Sequence, residues 1–323
     1  MFVNKSFRGI SLIAIVLILI FPPLLSGQKK KKPKTQATPK GTPVLWQEPT
    51  DIASRDLFLG PGGEEMKPDL SQVTFIRDET RGYSKRFRVR DGSGREWVAK
   101  ISKESQPDTV ASRLLWAVGY YTDITYLVPS VEIQGKGVFQ NVEFKARPKE
   151  IKRLGFWDWS DNPFAGTKEL QGLKVLMPLV NNWDLKDSNN TVLFVRGDGP
   201  DAGEARYIVS DLGATFGRTG NMITHNRNTP KDYEKQGFIK GVKGNIVQFD
   251  FRATHDNILR DVTVEQAKWI GTLLSQLSDQ QLNDAFRAAN YSPDEIQALT
   301  QALRARINEL ANLPGQEAPT VAN

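Results

Sequence analysis

The chain has 323 residues, with 43 Lys or Arg against 37 Asp or Glu, a net charge of +6, no Cys and two His. The absence of Cys excludes disulfide scaffolds, thiolate zinc sites and cysteine nucleophiles, and His225 and His255 are too few for a His-rich metal centre. Residues 1–47 hold eight of the basic residues and no acidic one, which leaves 35 basic and 37 acidic residues elsewhere, so the body lacks the basic face of a nucleic-acid binder.

Residues 1–27 read as an export signal. Lys5 and Arg8 precede a twelve-residue run from Ile10 to Phe21, shorter than the roughly 20 residues a spanning helix needs. Pro22 and Pro23 break the run, and Ser26-Gly27 offers small residues for cleavage. The expectation is an exported protein, periplasmic or extracellular. The five lysines in Gln28–Lys34 support the alternative, an uncleaved anchor with the body facing the cytosol. Membrane contact is expected only through residues 1–34, and residues 28–45, rich in Lys, Thr and Pro, read as a disordered linker.

Antiparallel strands are expected over 73–101. Phe87 and Val89 alternate with Arg86, Arg88 and Arg90, Asp91-Gly92-Ser93-Gly94 makes a turn, and Glu96–Ile101 resumes the strand. A helix is expected over 107–118, ended by Gly119, and more strand from Leu127 to Phe144. Thr167–Val180 reads as helix, kinked or cut short at Pro178. Two strands, 191–195 and 206–209, flank a Gly- and Asp-rich loop. Residues 218–262 read as irregular apart from a strand at 246–251. Three capping boxes (Thr263 with Gln266, Ser278 with Gln281, Ser292 with Glu295) mark helices in the C-terminal third. Strand-rich sequence before helix-rich sequence predicts an α+β, bilobal fold, with an N-lobe at 46–134, a C-lobe at 135–315 and a tail at 316–323.

HExxH, GxSxG and P-loop patterns are absent, so any chemistry must rest on carboxylates, amides and lysines. Two stretches supply them. Asp184, Lys186, Asn189 and the apolar run Thr191–Phe194 lie in WDLKDSNNTVLF, and Asp211-Leu212-Gly213 follows a β run. Hard oxygen donors in this pattern suit Mg²⁺.

WDLKDSNNTVLF resembles the protein-kinase catalytic loop, with Asp184 and Asn189 five positions apart; Asp211-Leu212-Gly213 resembles DFG, and Trp97-Val98-Ala99-Lys100 resembles the lysine strand. Lysine, helix, catalytic loop and metal Asp keep the family's order over roughly residues 75–220, and the helix at 107–120 is similar to that of the HipA-like, spore-coat and secretory-pathway kinases. The resemblance implies the bilobal protein-kinase-like fold, of an atypical branch, and ATP- and Mg²⁺-dependent phosphoryl transfer to a hydroxyl of a protein, sugar or small molecule. It makes Asp184 the group facing the acceptor and Lys186 a neutraliser of the transferring phosphoryl. Asn189 and Asp211 become metal ligands, Lys100 a phosphate contact paired with Asp108, Val98 a wall of the nucleotide pocket and Gly82 the turn over the phosphates.

The departures leave a second reading, an exported pseudokinase that binds or scaffolds. Asn182 and Trp183 replace the His and Arg of HRD, Asp108 stands where Glu is expected, and Gly82 alone represents the Gly-rich loop. Asp108 also suits a first helical turn through the dipole alone, and Asp184–Asn190 also suits an Asx-rich turn. His225 and His255 read as solvated loop residues, and Trp157 and Trp159 as core or lobe packing.

Overall fold

The structure, a computed structural model, describes Met1 and residues 41–80, 84–197 and 203–314. The export segment, most of the linker, Gly82 and the tail lie outside these residues. No helix among the described residues is long and apolar enough to cross a membrane.

A short strand β1 (Thr42–Val44) opens the described chain, and β2 (Thr74–Asp78), β3 (Lys85–Arg90) and β4 (Glu96–Ile101) follow as an antiparallel run. The β3–β4 turn is built on Asp91, whose carboxylate accepts from Ser93 Oγ (2.7 Å), Arg95 N (2.9 Å) and Trp97 Nε1 (2.8 Å). Gly94 closes the turn at φ +85°, a conformation that glycine adopts without a Cβ penalty. Helix α1 (Ser105–Ala117) begins four residues after β4, and β5 (Thr125–Ile133) and β6 (Gly137–Ala146) form a hairpin that inserts beside β4. The sheet order is β2-β3-β4-β6-β5.

Pleating gives this sheet two unlike faces. Phe87, Val89, Trp97, Ala99, Tyr126 and Phe144 belong to one buried apolar cluster. The alternate positions place Arg86 opposite Lys100 and Lys100 opposite Glu143, with Val98 opposite Lys145. Helix α1 packs against β5 and β6. Its Val110, Leu114 and Leu115 join a second, larger core shared with the C-terminal helices, so α1 ties the sheet to the rest of the molecule.

Beyond β6 come β7 (Ile151–Gly155), α2 (Lys168–Leu179), β8 (Asn190–Arg196) and β9 (Gly203–Val209). Strands β1, β9, β8 and β7 make a second sheet in that order, with β1 parallel to β9. A short helix α3 (Pro230–Lys235) and a hairpin of β10 (Ile239–Lys243) and β11 (Ile246–Phe249) precede α4 (Val264–Ser275), α5 (Asp279–Ala288) and α6 (Pro293–Ala311). Each of these last three helices starts in the expected capping box. The result is an α+β, bilobal arrangement: a sheet with one helix, then a mainly helical lobe.

Two domain boundaries differ from expectation. The linker was expected to reach residue 45, but Thr42–Val44 pair with Glu204–Arg206, and Leu45 is buried in the larger core. The N-lobe was expected to stop at 134, a position inside the β5–β6 turn. Because β6 pairs with both β5 and β4, that lobe runs to Ala146. Pro178 does not cut α2 short before its last turn, since the helix ends at Leu179, one residue beyond it. Strand β7, helix α3 and strand β10 were not anticipated. Trp157 and Trp159 are core residues 4.8 Å apart between ring centroids.

Candidate active site

Lys100 sits on the third strand of the N-terminal sheet, flanked by β3 and β6, so it is not an edge residue and its side chain has one way to point. Only 4% of that side chain is exposed. Its Nζ lies 3.2 Å from Asp211 Oδ1, 3.4 Å from Asp108 Oδ2 and 3.0 Å from Glu104 Oε2. Asp108 reaches Lys100 despite its short side chain because α1 starts close after β4, where Ser105 Oγ donates to the Lys100 carbonyl at 2.9 Å.

Asp108 is fully buried and serves more than one partner. Its Oδ2 also lies 3.4 Å from Lys145 Nζ, and its Oδ1 accepts from the backbone N–H of Leu212 at 3.3 Å. The Asp-Leu-Gly stretch is thereby docked on α1. Gly213 completes the docking, since a Cβ there would come within 2.4 Å of Glu104 Cβ.

The second lysine, Lys145, was not singled out in the sequence. It donates to the Ser210 carbonyl at 2.6 Å and lies 3.5 Å from Glu143 Oε1 and 3.7 Å from Asp123 Oδ2. Glu143 has this charge partner but no hydrogen bond to either oxygen among the described residues. Burial, then the neighbouring Asp108, pushes the Glu143 carboxyl up to about 7 against the pull of Lys145 and Lys100. The opposite outcome holds at Asp211. Burial alone would raise its carboxyl, but Lys100, Lys145 and Arg86 outweigh it and hold it at about 2. Burial would likewise lower the two lysines, yet Asp211 and Asp108 around Lys100, and Asp108 and Glu143 around Lys145, move both upward.

The loop after α2 brings in the other expected group. Asn181 takes a left-handed turn at φ +57°, and the buried Arg306 of α6 fixes it, donating to Asn181 Oδ1 at 2.8 Å and to the Pro178 and Leu179 carbonyls. Those carbonyls end α2, where a cation is favoured by the helix dipole. Downstream, Asn189 Nδ2 donates to the Asp184 carbonyl at 2.7 Å, which turns its amide oxygen away as the ligand-capable atom. Lys186 Nζ pairs with Asp184 Oδ1 at 2.8 Å. The β8–β9 hairpin then joins the two motifs, because Ser210 and Asp211 donate their N–H groups to the Asn189 carbonyl at 2.8 and 3.2 Å.

Expected residues are therefore assembled in two adjoining groups. Lys100, Asp108 and Asp211 are in contact, and Asp184, Lys186 and Asn189 share one loop that is bonded to Asp211. Val98 lies on the same face of β4 as Lys100 and is buried opposite Lys145; Gly82 is outside the described residues. The residues that were missed are Glu104, Glu143, Lys145 and Arg86, whose Nη2 lies 3.4 Å from Asp211 Oδ2. Glu104 had a readable signal, carboxylates at 104 and 108 spaced by four from Lys100. Glu143 and Lys145 had none, since strand register decides their place. Glu104 also accepts from Ser84 Oγ at 2.8 Å and pairs with Arg227. Arg227 lies over the Trp183 ring, and His225, expected to be solvated, stacks on that ring at 3.6 Å between centroids.

Asp211 and Asn189 offer the hard oxygen donors that Mg²⁺ prefers. Among the described residues no three His, Asp or Glu cluster as a metal cage, so a metal ion here would complete its shell with phosphate oxygens and water.

No family model and no curated protein matches the chain. Among solved structures, it is similar to the Helicobacter pylori proinflammatory kinase CtkA at 10% identity, over 74% of this chain and 95% of that one, with a TM-score of 0.45. It is similar to the Golgi casein kinase at 9% identity, over 76% and 73%, with a TM-score of 0.39. It is similar to the Rio2 kinase of Chaetomium thermophilum at 11% identity, over 73% and 72%, with a TM-score of 0.34. At these scores the likeness carries none of the site assignments. The chain's own topology brings a lysine on the third strand to a helix acid and to the Asp of Asp-Leu-Gly, beside the loop that carries Asp184 and Asn189.

Proposed function

We propose that the chain is an ATP- and Mg²⁺-dependent phosphotransferase acting on a hydroxyl. The observation that supports this best is the Lys100–Asp211 contact at 3.2 Å, with Asp211 bonded through its N–H to the loop that carries Asp184 and Asn189. A cation for phosphates, two oxygen donors for a metal ion and a carboxylate for the acceptor then lie on neighbouring segments. The metal ion, when bound, neutralises charge on the phosphates. Lys100 contacts the phosphates and is oriented by Asp108 and Glu104. Asp184 accepts the proton of the acceptor hydroxyl as the acceptor oxygen attacks the γ-phosphorus and the bond from that phosphorus to the β–γ bridging oxygen breaks, releasing ADP; Lys186 neutralises charge on the transferring group.

The pseudokinase reading has its own support. Asp211 already has Lys100 on one oxygen and Arg86 on the other, so its charge is offset before any metal ion binds, and a metal ion would share these oxygens with both cations. One set of measurements separates the two: calorimetric Mg·ATP binding beside [γ-³²P]ATP transfer to a hydroxyl acceptor mixture or to the protein itself. Lys100→Ala is expected to weaken nucleotide binding. Asp211→Asn is expected to lose Mg²⁺-dependent binding and turnover together. Asp184→Asn is expected to spare binding and lower turnover about 10²–10⁴-fold. Wild type that binds Mg·ATP but transfers nothing, with Asp184→Asn indistinguishable from it, favours the scaffold. Wild type that binds no nucleotide removes the enzyme reading. Export through residues 1–27 belongs to the same proposal, and an intact Met1 on the native protein by mass spectrometry would favour the cytosol-facing anchor.

A further inference from the structure

A cavity of about 280 Å³ lies behind the β6–β7 connection, and Lys100, Asp184, Asn189 and Asp211 take no part in its walls. It is bounded by the end of α1 with the turn that follows, by residues 146–148, and by β7, β8 and β9. Its apolar lining includes Trp116, Ile124, Ile151, Leu193 and Val195. The polar lining holds four guanidinium groups, Arg55, Arg147, Arg153 and Arg206, against a single carboxylate, Asp123.

That carboxylate is already committed. Arg153 grips it with two bonds of 2.7 and 3.2 Å, and Ser210 Oγ donates to it at 2.8 Å. Arg147 stands 3.8 Å from it and donates instead to the Ala146 carbonyl at 2.7 Å. Burial, only partly offset by Asp123, pushes the Arg147 guanidinium down to about 10. Arg55 and Arg206 turn to Asp51 and Glu204 at 2.8 Å each, both outside the cavity, with their guanidinium carbons over the Trp116 and Tyr121 rings, and Arg55 also donates to the Trp116 carbonyl. A guanidinium carries five N–H donors, and these partners engage only some of them. Thr122 adds a separate sign, because the residue lines the cavity and its hydroxyl, buried beside it, has no hydrogen-bond partner among the described residues. A buried hydroxyl without a partner is disfavoured unless a ligand or water completes it.

We propose that this cavity is a second ligand site, taking a small organic anion with a flat apolar body and a phosphate or carboxylate head. The body lies along Trp116, Ile151 and Leu193. The head meets Arg147 and Arg206, and the Thr122 hydroxyl donates to it. Binding here is independent of phosphoryl transfer, so the proposal stands or falls apart from the enzyme reading.

Calorimetry on the full chain with four probes tests it: naphthyl phosphate, naphthoate, naphthol and inorganic phosphate. The better of the two aryl anions is expected to bind at least about tenfold tighter than naphthol or inorganic phosphate, since head and body contribute together. Arg206→Gln removes a partly exposed guanidinium, and Thr122→Val keeps shape while removing the unpartnered hydroxyl. Each is expected to weaken the aryl anion about threefold or more. The proposal is overturned if neither aryl anion outbinds naphthol and inorganic phosphate, or if both variants bind as wild type does. It is also overturned if Lys100→Ala weakens the aryl anion as much as Arg206→Gln does, because the ligand would then sit beside Lys100.

Discussion

The two faces of the five-stranded sheet are made by the same residues in alternation, yet they do opposite things. On one face Trp97, Phe144 and Phe87 bury apolar surface and gain stability from area removed from water. On the other, Lys100, Glu143 and Lys145 are equally buried, and there burial works against the charged groups unless partners offset it. The partners come from elsewhere: Asp108 from α1, Asp211 from the end of β9, Asp123 from the turn before β5. The apolar face thus gains from burial itself, whereas the charged face is tolerable only when both lobes are assembled.

Breaking the apolar face should have the largest effect on stability. Trp97→Ala removes a fully buried ring and the donor to Asp91, and about 3–5 kcal/mol of unfolding free energy should be lost in urea denaturation. A loss below about 1 kcal/mol would mean that the face is not a packed core.

Breaking the charged face at its hub comes next. Asp108→Ala leaves Lys100 and Lys145 buried with fewer carboxylates and should cost about 3 kcal/mol. Asp108→Asn keeps shape and an acceptor for the Leu212 N–H, so it should recover only part of that loss. An Asn variant as stable as wild type would show that charge at 108 is irrelevant.

The smallest effect sharpens the comparison through pH. The Glu143 carboxyl rises from an ordinary 4.5 to about 7 on folding, so between those values the folded chain holds more protons than the unfolded one. Stability contributed at this site is therefore full below pH 4.5 and is lost as pH rises towards 7. Glu143→Gln cannot titrate and should be more stable than wild type at pH 8 by up to about 3 kcal/mol, with the gap closing near pH 4.5. A gap that does not change with pH would remove Glu143 from this account.

Several elements were legible because their determinants are local. The three C-terminal helices follow from hydroxyl and carboxyl or amide side chains three residues apart, and the β3–β4 turn follows from Asp91-Gly92-Ser93-Gly94. Within the site, Asp184, Asn189 and Asp211 stood out as oxygen donors in two short stretches, and Lys100 through the resemblance of its strand to the kinase lysine strand. Strand β7 and β1 escaped notice because their pairing partners, β8 and β9, lie far along the chain, and the N-lobe boundary was misplaced because a hairpin turn resembles a linker until its second strand finds β4.

Alternation and capping, properties of neighbours in the chain, determined by themselves an α+β order with a lysine strand, a following helix and two carboxylate-bearing loops. Only the tertiary structure decided that β6 inserts between β4 and β5, which sets Glu143 beside Lys100 and Lys145 against Asp108 and Ser210. It also decided that Asp123, far from the motifs, lies between Lys145 and the arginine-lined cavity. The reason is physical. The energy of a buried charge depends on every group within a few ångströms, and sequence separation does not report which groups those are.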